Sequence, residues 1–313
     1  MRLMKEKIPK NLSTQLPKES PKYWRAMALV DSKKESLFSK RLFLPKPELA
    51  SLVYHNIFDY PMTKVELKKW KFGPKTKNRI AIKARKIGQY CFLAGRDRLV
   101  AKRQHYSNAS LRKIERAKAA ARVLGSLPSV KMVGITGALA MMNAGADSDV
   151  DLLIVTSRGT LWTTRLLVYA KLDLLGIPRR RYGARKQKDR LCLNMWLDET
   201  DLVWSKADRN LYTAHEIAQI IPLVNKDNTY ERFINKNSWI KYYWPNAVKI
   251  PKLTSAPKET ISLLSPLEPF ARSLQFWYMR KKITREVISP TKAIFHPRDW
   301  GKIVALRLLK KLD

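Results

Sequence analysis

The feature that most constrains this chain is the run 130–156, VKMVGITGALAMMNAGADSDVDLLIVT, in which two apolar segments flank a glycine turn and a polar break. The first apolar segment, Lys131–Ile135, predicts a short buried strand. Gly137 and Ala138 predict a turn that opens a helix of small residues, and the break over Asn143–Ser148 ends that helix. The closing VDLLIV predicts a second strand, so the run predicts a strand, a helix and a strand in that order.

Two carboxylates stand at the start of the second predicted strand. Asp149 and Asp151 are two residues apart, so their side chains point to the same face of a strand. Like charges repel at this distance, and a divalent cation between them would offset the repulsion. Mg²⁺ prefers one or two carboxylates together with phosphate oxygens. The turn at Gly137 would let the backbone approach a triphosphate, which the first N–H groups of a helix also favour.

This run resembles the signature of the DNA polymerase β-like nucleotidyltransferase superfamily, a Gly-Ser turn that opens a helix and an Asp-x-Asp pair about ten residues later. Here the pattern is Gly137-Ala138 and Asp149-Val150-Asp151. The resemblance implies an enzyme that moves a nucleoside monophosphate from a nucleoside triphosphate to a hydroxyl of RNA or protein and releases pyrophosphate. It implies Mg²⁺ or Mn²⁺ held by Asp149 and Asp151 as catalytic residues, and nucleotide-binding roles for Gly137, Ala138, Ser148 and Asn194. An ordinary α/β unit with a polar Asp-Ser-Asp turn is the alternative interpretation.

Two positions depart from the family pattern. Ala138 replaces the serine of the turn, which removes one hydroxyl contact to phosphate. The third carboxylate of the superfamily is expected on the strand 191–199, where Asn194 stands in its place and Asp198 and Asp201 follow. Either aspartate could substitute for the missing acid. The second hypothesis is therefore a non-catalytic regulator that binds nucleic acid and carries a degenerate nucleotidyltransferase domain.

The charge of the chain favours a polyanionic partner. It has 62 Lys and Arg against 26 Asp and Glu, a formal net charge of +36. Such a surface attracts nucleic acid, with an anionic membrane surface as the second candidate. The longest uncharged apolar stretch, 132–146, is too short to cross a bilayer, and no apolar segment follows the basic N-terminus. We therefore expect a cytoplasmic protein, outside the membrane, in which Cys91 and Cys192 are free thiols.

The pattern along the chain predicts an α+β protein in which helices flank a mixed, nucleotidyltransferase-like sheet. Residues 1–45 predict a poorly ordered basic arm. Residues 46–107 predict a winged-helix-like module with two helices, a basic third helix over 77–90 and a hairpin around Ala94–Arg96. A helical packing module is the alternative for this part. The transferase core is expected over 108–210, and a helical region over 211–313. Residues from about 47 to 300, with segments such as HNIFDYP and GRDRLVAKR, resemble poorly characterised prokaryotic proteins that are predicted to join a winged helix to a nucleotidyltransferase domain.

Some further residues carry weaker signals. Arg165 and Lys171 lie on an amphipathic helix over 161–176, where a solvated face is the simpler interpretation than contact with a triphosphate. The basic loop 179–190 would lie where a polyphosphate or an RNA backbone passes, and a solvated loop fits it equally well. A lone histidine such as His215 is more often structural than catalytic.

Overall fold

A computed structural model of the chain describes residues 40–42, 46–74, 83–181, 183, 187–253, 262–280, 286–295 and 299–312. The predicted basic arm, 1–45, lies outside these residues apart from a three-residue strand at 40–42.

Along the sequence, short helices and strands come first, and the longer elements of the core follow. The N-terminal part contains β1 (Lys40–Leu42), α1 (Lys46–Asn56), β2 (Met62–Thr63), α2 (Lys64–Lys69), β3 (Ala84–Ile87) and β4 (Tyr90–Leu93). The central part contains α3 (Leu99–Gly125), β5 (Val130–Ile135), α4 (Gly137–Ala140), β6 (Val150–Thr156), α5 (Leu161–Leu174) and β7 (Leu191–Asp198). The C-terminal part contains α6 (Leu211–Ala218), β8 (Ile221–Asn225), α7 (Thr229–Lys236), α8 (Ile240–Tyr243), α9 (Glu268–Met279), β9 (Val287–Ile288), β10 (Lys292–Ile294) and α10 (Trp300–Leu312).

A six-stranded mixed sheet forms the centre of the molecule, in the order β8-β5-β6-β7-β10-β9. β6 and β7 are parallel, and the other neighbours are antiparallel. Alternate residues of β6 enter different cores: Leu152 and Ile154 pack on one face, and Leu153 and Val155 on the other. Because both faces are covered, the strand has a nearly continuous apolar sequence. The α+β prediction and the three strands β5, β6 and β7 are confirmed.

The C-terminal region differs from its prediction. Residues 211–313 were expected to be helical, yet β8, β9 and β10 all come from this region and extend the central sheet on both sides. These strands have two to five residues, too few to show a two-residue period against the helical pattern around them.

The N-terminal sheet has the order β1-β3-β4-β2 and is antiparallel throughout. The basic third helix predicted over 77–90 is wrong from Ala84 onward, because these residues form β3 and the turn into β4; residues 75–82 lie outside the described part. Gly88 makes the turn with a φ of +55°, and the buried run Tyr90–Leu93 suits a strand better than a helix surface. The hairpin expected around Ala94–Arg96 is wrong at its second strand, because α3 begins at Leu99; the hairpin of the structure is β3–β4, with its turn at Gly88.

A capping box begins α2, with Thr63 as the N-cap and Glu66 three residues later. The Thr63 hydroxyl accepts from the Glu66 backbone N–H (3.2 Å), and the Glu66 carboxylate accepts from the Thr63 N–H (2.7 Å). The same carboxylate accepts from Arg103 of α3 (3.0 Å). This contact ties the N-terminal helices to the long helix that supports the central sheet.

A buried histidine pair joins α1 to α6. The Nε2 atoms of His55 and His215 lie 3.1 Å apart, and the Trp70 ring stacks on His215 at 4.0 Å. His55 Nδ1 lies 2.8 Å from the Ser51 carbonyl oxygen and donates to it. A neutral His55 must then accept at Nε2, so His215 donates there. This arrangement agrees with a structural role for His215.

Acid should weaken the fold through this pair. Burial lowers the pKa of His55 to about 4, and burial together with the nearby His55 lowers that of His215 well below 6.5. Below pH 6.5 the histidines of the unfolded chain take up protons that the native pair does not. The stability of the fold therefore decreases as the pH is lowered. We expect a loss of about 2 kcal/mol from His55 between pH 7 and pH 5, and a further loss from His215 in the same direction. Urea unfolding of the wild type and His215→Gln at both pH values measures this loss. The variant should show the smaller change, whereas His105→Gln, at an exposed position of α3, should match the wild type. An equal change in all three proteins would contradict the prediction.

Candidate functional site

The two predicted carboxylates meet at the beginning of β6. Asp151 lies in β6 beside Cys192 of the parallel strand β7, and Asp149 precedes the strand. Carboxylate oxygens of Asp149 and Asp151 and the Cys192 Sγ all lie within 4.8 Å of one another. The prediction that both aspartates share one face is therefore confirmed, and Cys192 joins them from a neighbour that the local pattern did not reveal.

Gly137 packs directly against this pair. Its φ is +61°, and a Cβ atom built on it would lie 2.9 Å from the Asp151 Oδ2. Any other residue would be strained and would also clash with the carboxylate. The Thr136 N–H donates to the Asp151 carbonyl oxygen (3.1 Å), which holds the turn against β6. Ala138 follows in α4, so the predicted order of strand, glycine turn, helix and Asp-x-Asp is present.

Asn194 stands beside the carboxylates, as the sequence predicted. Its Nδ2 donates to Asp151 Oδ1 (2.9 Å), and its buried Oδ1 has no hydrogen-bond partner among the described residues. The suggested substitutes are wrong because they lie at the other end of β7. Asp198 accepts from the Gly159 N–H (2.7 Å), and Asp201 pairs with Lys292 (2.9 Å).

The surroundings of the two aspartates shift the pKa of Asp151 and of Cys192. Burial and the neighbouring Asp149 raise the pKa of Asp151 to about 6. Arg180 Nη1 donates to Asp149 Oδ2 (3.0 Å) and lies 3.6 Å from the Cys192 Sγ. Burial and the two carboxylates raise the pKa of the Cys192 thiol, so it stays protonated. The usable donors are thus carboxylate oxygens, which fit Mg²⁺ or Mn²⁺ better than softer metals.

These groups open into one large cavity of about 1200 Å³. Asp149, Asp151, Gly137, Ala138 and Asn194 all line it. Ser148 is not among the lining residues. Its carbonyl oxygen accepts from Lys113 and from the Asp189 N–H, so its observed contacts fasten the loop that leads to Asp149.

Two cavity residues of α6 were missed by sequence reasoning. Tyr212 and Glu216 are four residues apart on one helix face, and both line the cavity. Burial and the charge of Asp151 raise the pKa of Glu216 to about 8. The i, i+4 spacing was a signal for a shared face. Nothing local indicated that this face would lie over residues that are sixty positions earlier in the chain.

Lys113 of α3 was also missed, and it positions the loop before Asp149. It is buried, and its Nζ donates to the carbonyl oxygens of Ala146 (3.2 Å) and Ser148 (2.7 Å) and to Asp189 Oδ1 (2.6 Å). One turn earlier, the Ser110 hydroxyl accepts from the Ala144 N–H (3.0 Å). A lysine on the apolar face of a helix was the available signal.

The two cations predicted on the solvated face of the helix over 161–176 separate in the structure. Arg165 is buried and lines the cavity, so that prediction is wrong for it. Lys171 lies outside the lining and donates to the Ser126 hydroxyl. Arg179, Arg180 and Arg181 of the basic loop line the same cavity.

Comparison of the chain with protein-family models, curated proteins and solved structures gives no match. Within the described part of the chain, no helix has the length and apolar character that crossing a bilayer requires. The function is therefore argued from the geometry and charge of the site itself.

Proposed function

We propose that this chain is a metal-dependent nucleotidyltransferase. The reaction is the transfer of a nucleoside monophosphate from a nucleoside triphosphate to a hydroxyl of RNA or protein. The observation that carries the proposal is the pair Asp149 and Asp151, which faces a cavity beside the Gly137 turn. An ordinary α/β unit has no reason to place two carboxylates and a sterically required glycine together at the wall of a cavity of about 1200 Å³. Since the substrates are nucleoside triphosphates, the cytoplasm is the compartment that we propose.

Each residue of the site would have its own role in an in-line displacement at the α-phosphorus. Asp149 and Asp151 would hold Mg²⁺ or Mn²⁺, which when bound supplies polarisation of the α-phosphate and neutralises charge. Asn194 fixes the Asp151 carboxylate by its hydrogen bond. The turn at Gly137 and Ala138 would seat the phosphates through its backbone. The acceptor oxygen forms a bond to the α-phosphorus. At the same time the bond between the α-phosphorus and the oxygen that bridges it to the β-phosphate breaks, and pyrophosphate leaves.

We assign Glu216 as the general base, whose carboxylate would accept the proton of the attacking hydroxyl. Asn194 cannot do so, because an amide has no basic oxygen of suitable pKa. Glu216 lies in the same cavity, and its pKa of about 8 is close to the operating pH of a cytoplasmic enzyme, as a general base requires. A carboxylate from α6 would thus replace the strand acid that the superfamily pattern leads one to expect.

Label transfer from α-phosphate-labelled nucleoside triphosphates tests this function. Each of the four triphosphates is incubated with the protein, Mn²⁺ or Mg²⁺, and total cellular RNA and protein. We expect a labelled acceptor that disappears when the metal is removed by a chelator. Ribonuclease and protease digestion then assign the label to RNA or protein. No labelled species with any triphosphate, either metal or either acceptor would contradict the proposal.

The second candidate is a regulator that binds nucleic acid without turnover. Asn194 and Ala138 in place of the family's acid and serine favour it, as does the net charge of +36. The N-terminal module adds some support, because β2 pairs with β4 of the hairpin β3–β4 after α1 and α2, a strand pairing that a winged helix also has; the third helix of such a module is not among the described residues. For this candidate, binding to nucleic acid should weaken steeply with salt and should survive substitution of both aspartates.

A further inference from the structure

A buried arginine lies in the wall of the cavity, apart from the carboxylate pair. Arg165 projects from α5 and is 8% exposed. Its guanidinium lies 4.6 Å from the ring centre of Tyr169 and 4.9 Å from that of Phe295. The aromatic rings hold the group in place and leave it little contact with bulk water.

The guanidinium is held in a fixed orientation. Arg165 Nη1 donates to the Gln275 side-chain oxygen. Gln275 is itself fixed, because its Nε2 donates to the carbonyl oxygens of Trp162 (2.8 Å) and Ala271 (3.0 Å). Its amide therefore cannot rotate without the loss of two hydrogen bonds, and the position of the Arg165 head group is set in advance of any ligand.

The positive charge of Arg165 has no acidic partner among the residues that the structure describes. Its buried Nε also has no hydrogen-bond partner there. A buried cation is costly unless an anion compensates it, because both water and a counter-charge are missing. Burial accordingly lowers the pKa of Arg165 from its ordinary value, and Arg179 lowers it further, while Tyr169 acts in the opposite direction.

A second arginine packs against the ring of the same tyrosine. Arg179 lies 4.4 Å from the ring centre of Tyr169, and Arg179 also lines the cavity. Its Nε and Nη2 donate to the two carboxylate oxygens of Asp173 at 3.2 and 2.8 Å. Asp173 is thus engaged by Arg179 and offers no compensation to Arg165.

We propose that Arg165, assisted by Arg179, forms an oligophosphate subsite of the cavity that takes the phosphate tail of the nucleoside triphosphate and the pyrophosphate formed from it. This inference rests on the proposed function, for which it names the part of the substrate that this wall receives. A planar guanidinium can present its two Nη groups to phosphate oxygens together, and a phosphate would supply the missing negative charge.

The burial of Arg165 decides between two sources of phosphate. The backbone of a nucleic acid is bulky and is met by exposed side chains, whereas a terminal chain of phosphates can enter a cavity. A group that is 8% exposed at the cavity wall fits the second source. The exposed arginines of the chain are the candidates for contact with a nucleic-acid backbone.

Calorimetric titration with inorganic tripolyphosphate, in chelator and without metal, tests the subsite. We expect Arg165→Gln to weaken binding at least tenfold relative to the wild type. Arg112→Gln makes the same charge change at an exposed position of α3, and it should leave the affinity unchanged. Arg165→Lys keeps the charge and loses the bidentate geometry, so we expect at least threefold weaker binding. A single-stranded oligonucleotide without terminal phosphates is the second titrant, and its affinity should be the same in the wild type and in both Arg165 variants.

Thermal unfolding identifies any variant that does not fold. If Arg165→Gln fails to fold, Arg165→Lys decides, and wild-type affinity for tripolyphosphate in that protein overturns the subsite. Loss of oligonucleotide binding alone overturns it as well, in favour of a backbone contact. The transfer assay separates the two claims. Weakened tripolyphosphate binding in the variant with no transfer by the wild type retains the subsite and rejects the transferase. Transfer by the wild type with unchanged tripolyphosphate binding in the variant does the reverse.

Discussion

Replacement of Asp151 with asparagine should lower the rate of nucleotide transfer by about 1000-fold or more, the size of effect expected when a charged group that acts on the transition state is lost. Asp151 is one of the two carboxylates that face the cavity, and it lies within 4.8 Å of Asp149. Asparagine keeps the shape of the side chain and removes its negative charge, so the proposed metal site would lose one of its two charged ligands. The transfer assay with the labelled triphosphate that the wild type uses measures the loss.

The same substitution should not weaken the fold. The repulsion from Asp149 and the burial that raises the pKa of Asp151 to about 6 both oppose its charge in the metal-free protein. We therefore expect Asp151→Asn to unfold at an equal or higher urea concentration, with a gain of up to about 1–2 kcal/mol. Asp147→Asn is the matched control, because that side chain is 89% exposed and belongs to the same DSDVD segment. Equal transfer rates in both variants would contradict the role of Asp151.

Replacement of Lys113 with methionine should destabilise the protein by about 3 kcal/mol, a typical cost of breaking a buried ion pair. Methionine fills the space but removes the Lys113 donor from the carbonyl oxygens of Ala146 and Ser148, of which Ser148 keeps the hydrogen bond from the Asp189 N–H. Asp189 retains an ion pair with Arg116 (2.8 Å), which limits the loss. Urea unfolding measures the effect, and Lys118→Met, which breaks an exposed pair with Glu115, should change stability by less than about 0.5 kcal/mol.

Lys113→Met should also slow transfer in the fraction that remains folded. The two carbonyl oxygens belong to the loop that leads to Asp149, so a loosened loop misplaces that carboxylate. We expect a fall of about tenfold, because small errors of position in a catalytic group are costly. A variant with unchanged stability and transfer would show that the loop holds its position without this lysine.

The run around the carboxylates was predictable because its information is local. The strands β5 and β6 are apolar enough to be buried on both faces, and the two-residue spacing of Asp149 and Asp151 places them on one face wherever the strand lies. Asn194 could be placed because it is the polar residue in the middle of the apolar run of β7, whose other positions are buried. Asp198 was wrongly offered as its substitute, since the parallel register of β6 and β7 pairs Asp198 with Thr156, at the far end from the site.

The residues that the sequence did not reveal depend on packing between distant elements. Lys113, Glu216 and Arg165 lie on three different helices, and the pattern of each helix does not say which distant residues its face will meet. Their roles follow from which face of each helix meets the loop or the cavity. The prediction of the N-terminal hairpin was wrong for another reason. Basic residues of β3, such as Arg85 and Lys86, made the sequence of this strand look like that of a basic helix.

The most direct test of the account is the position of manganese in crystals grown with Mn²⁺ and a triphosphate that carries a methylene bridge between its α- and β-phosphates. Anomalous scattering locates the metal without reference to the protein chemistry. We expect manganese bound by the carboxylates of Asp149 and Asp151, with phosphate oxygens among its remaining ligands. Nucleotide bound elsewhere on the protein, with no manganese at these two carboxylates, would contradict it.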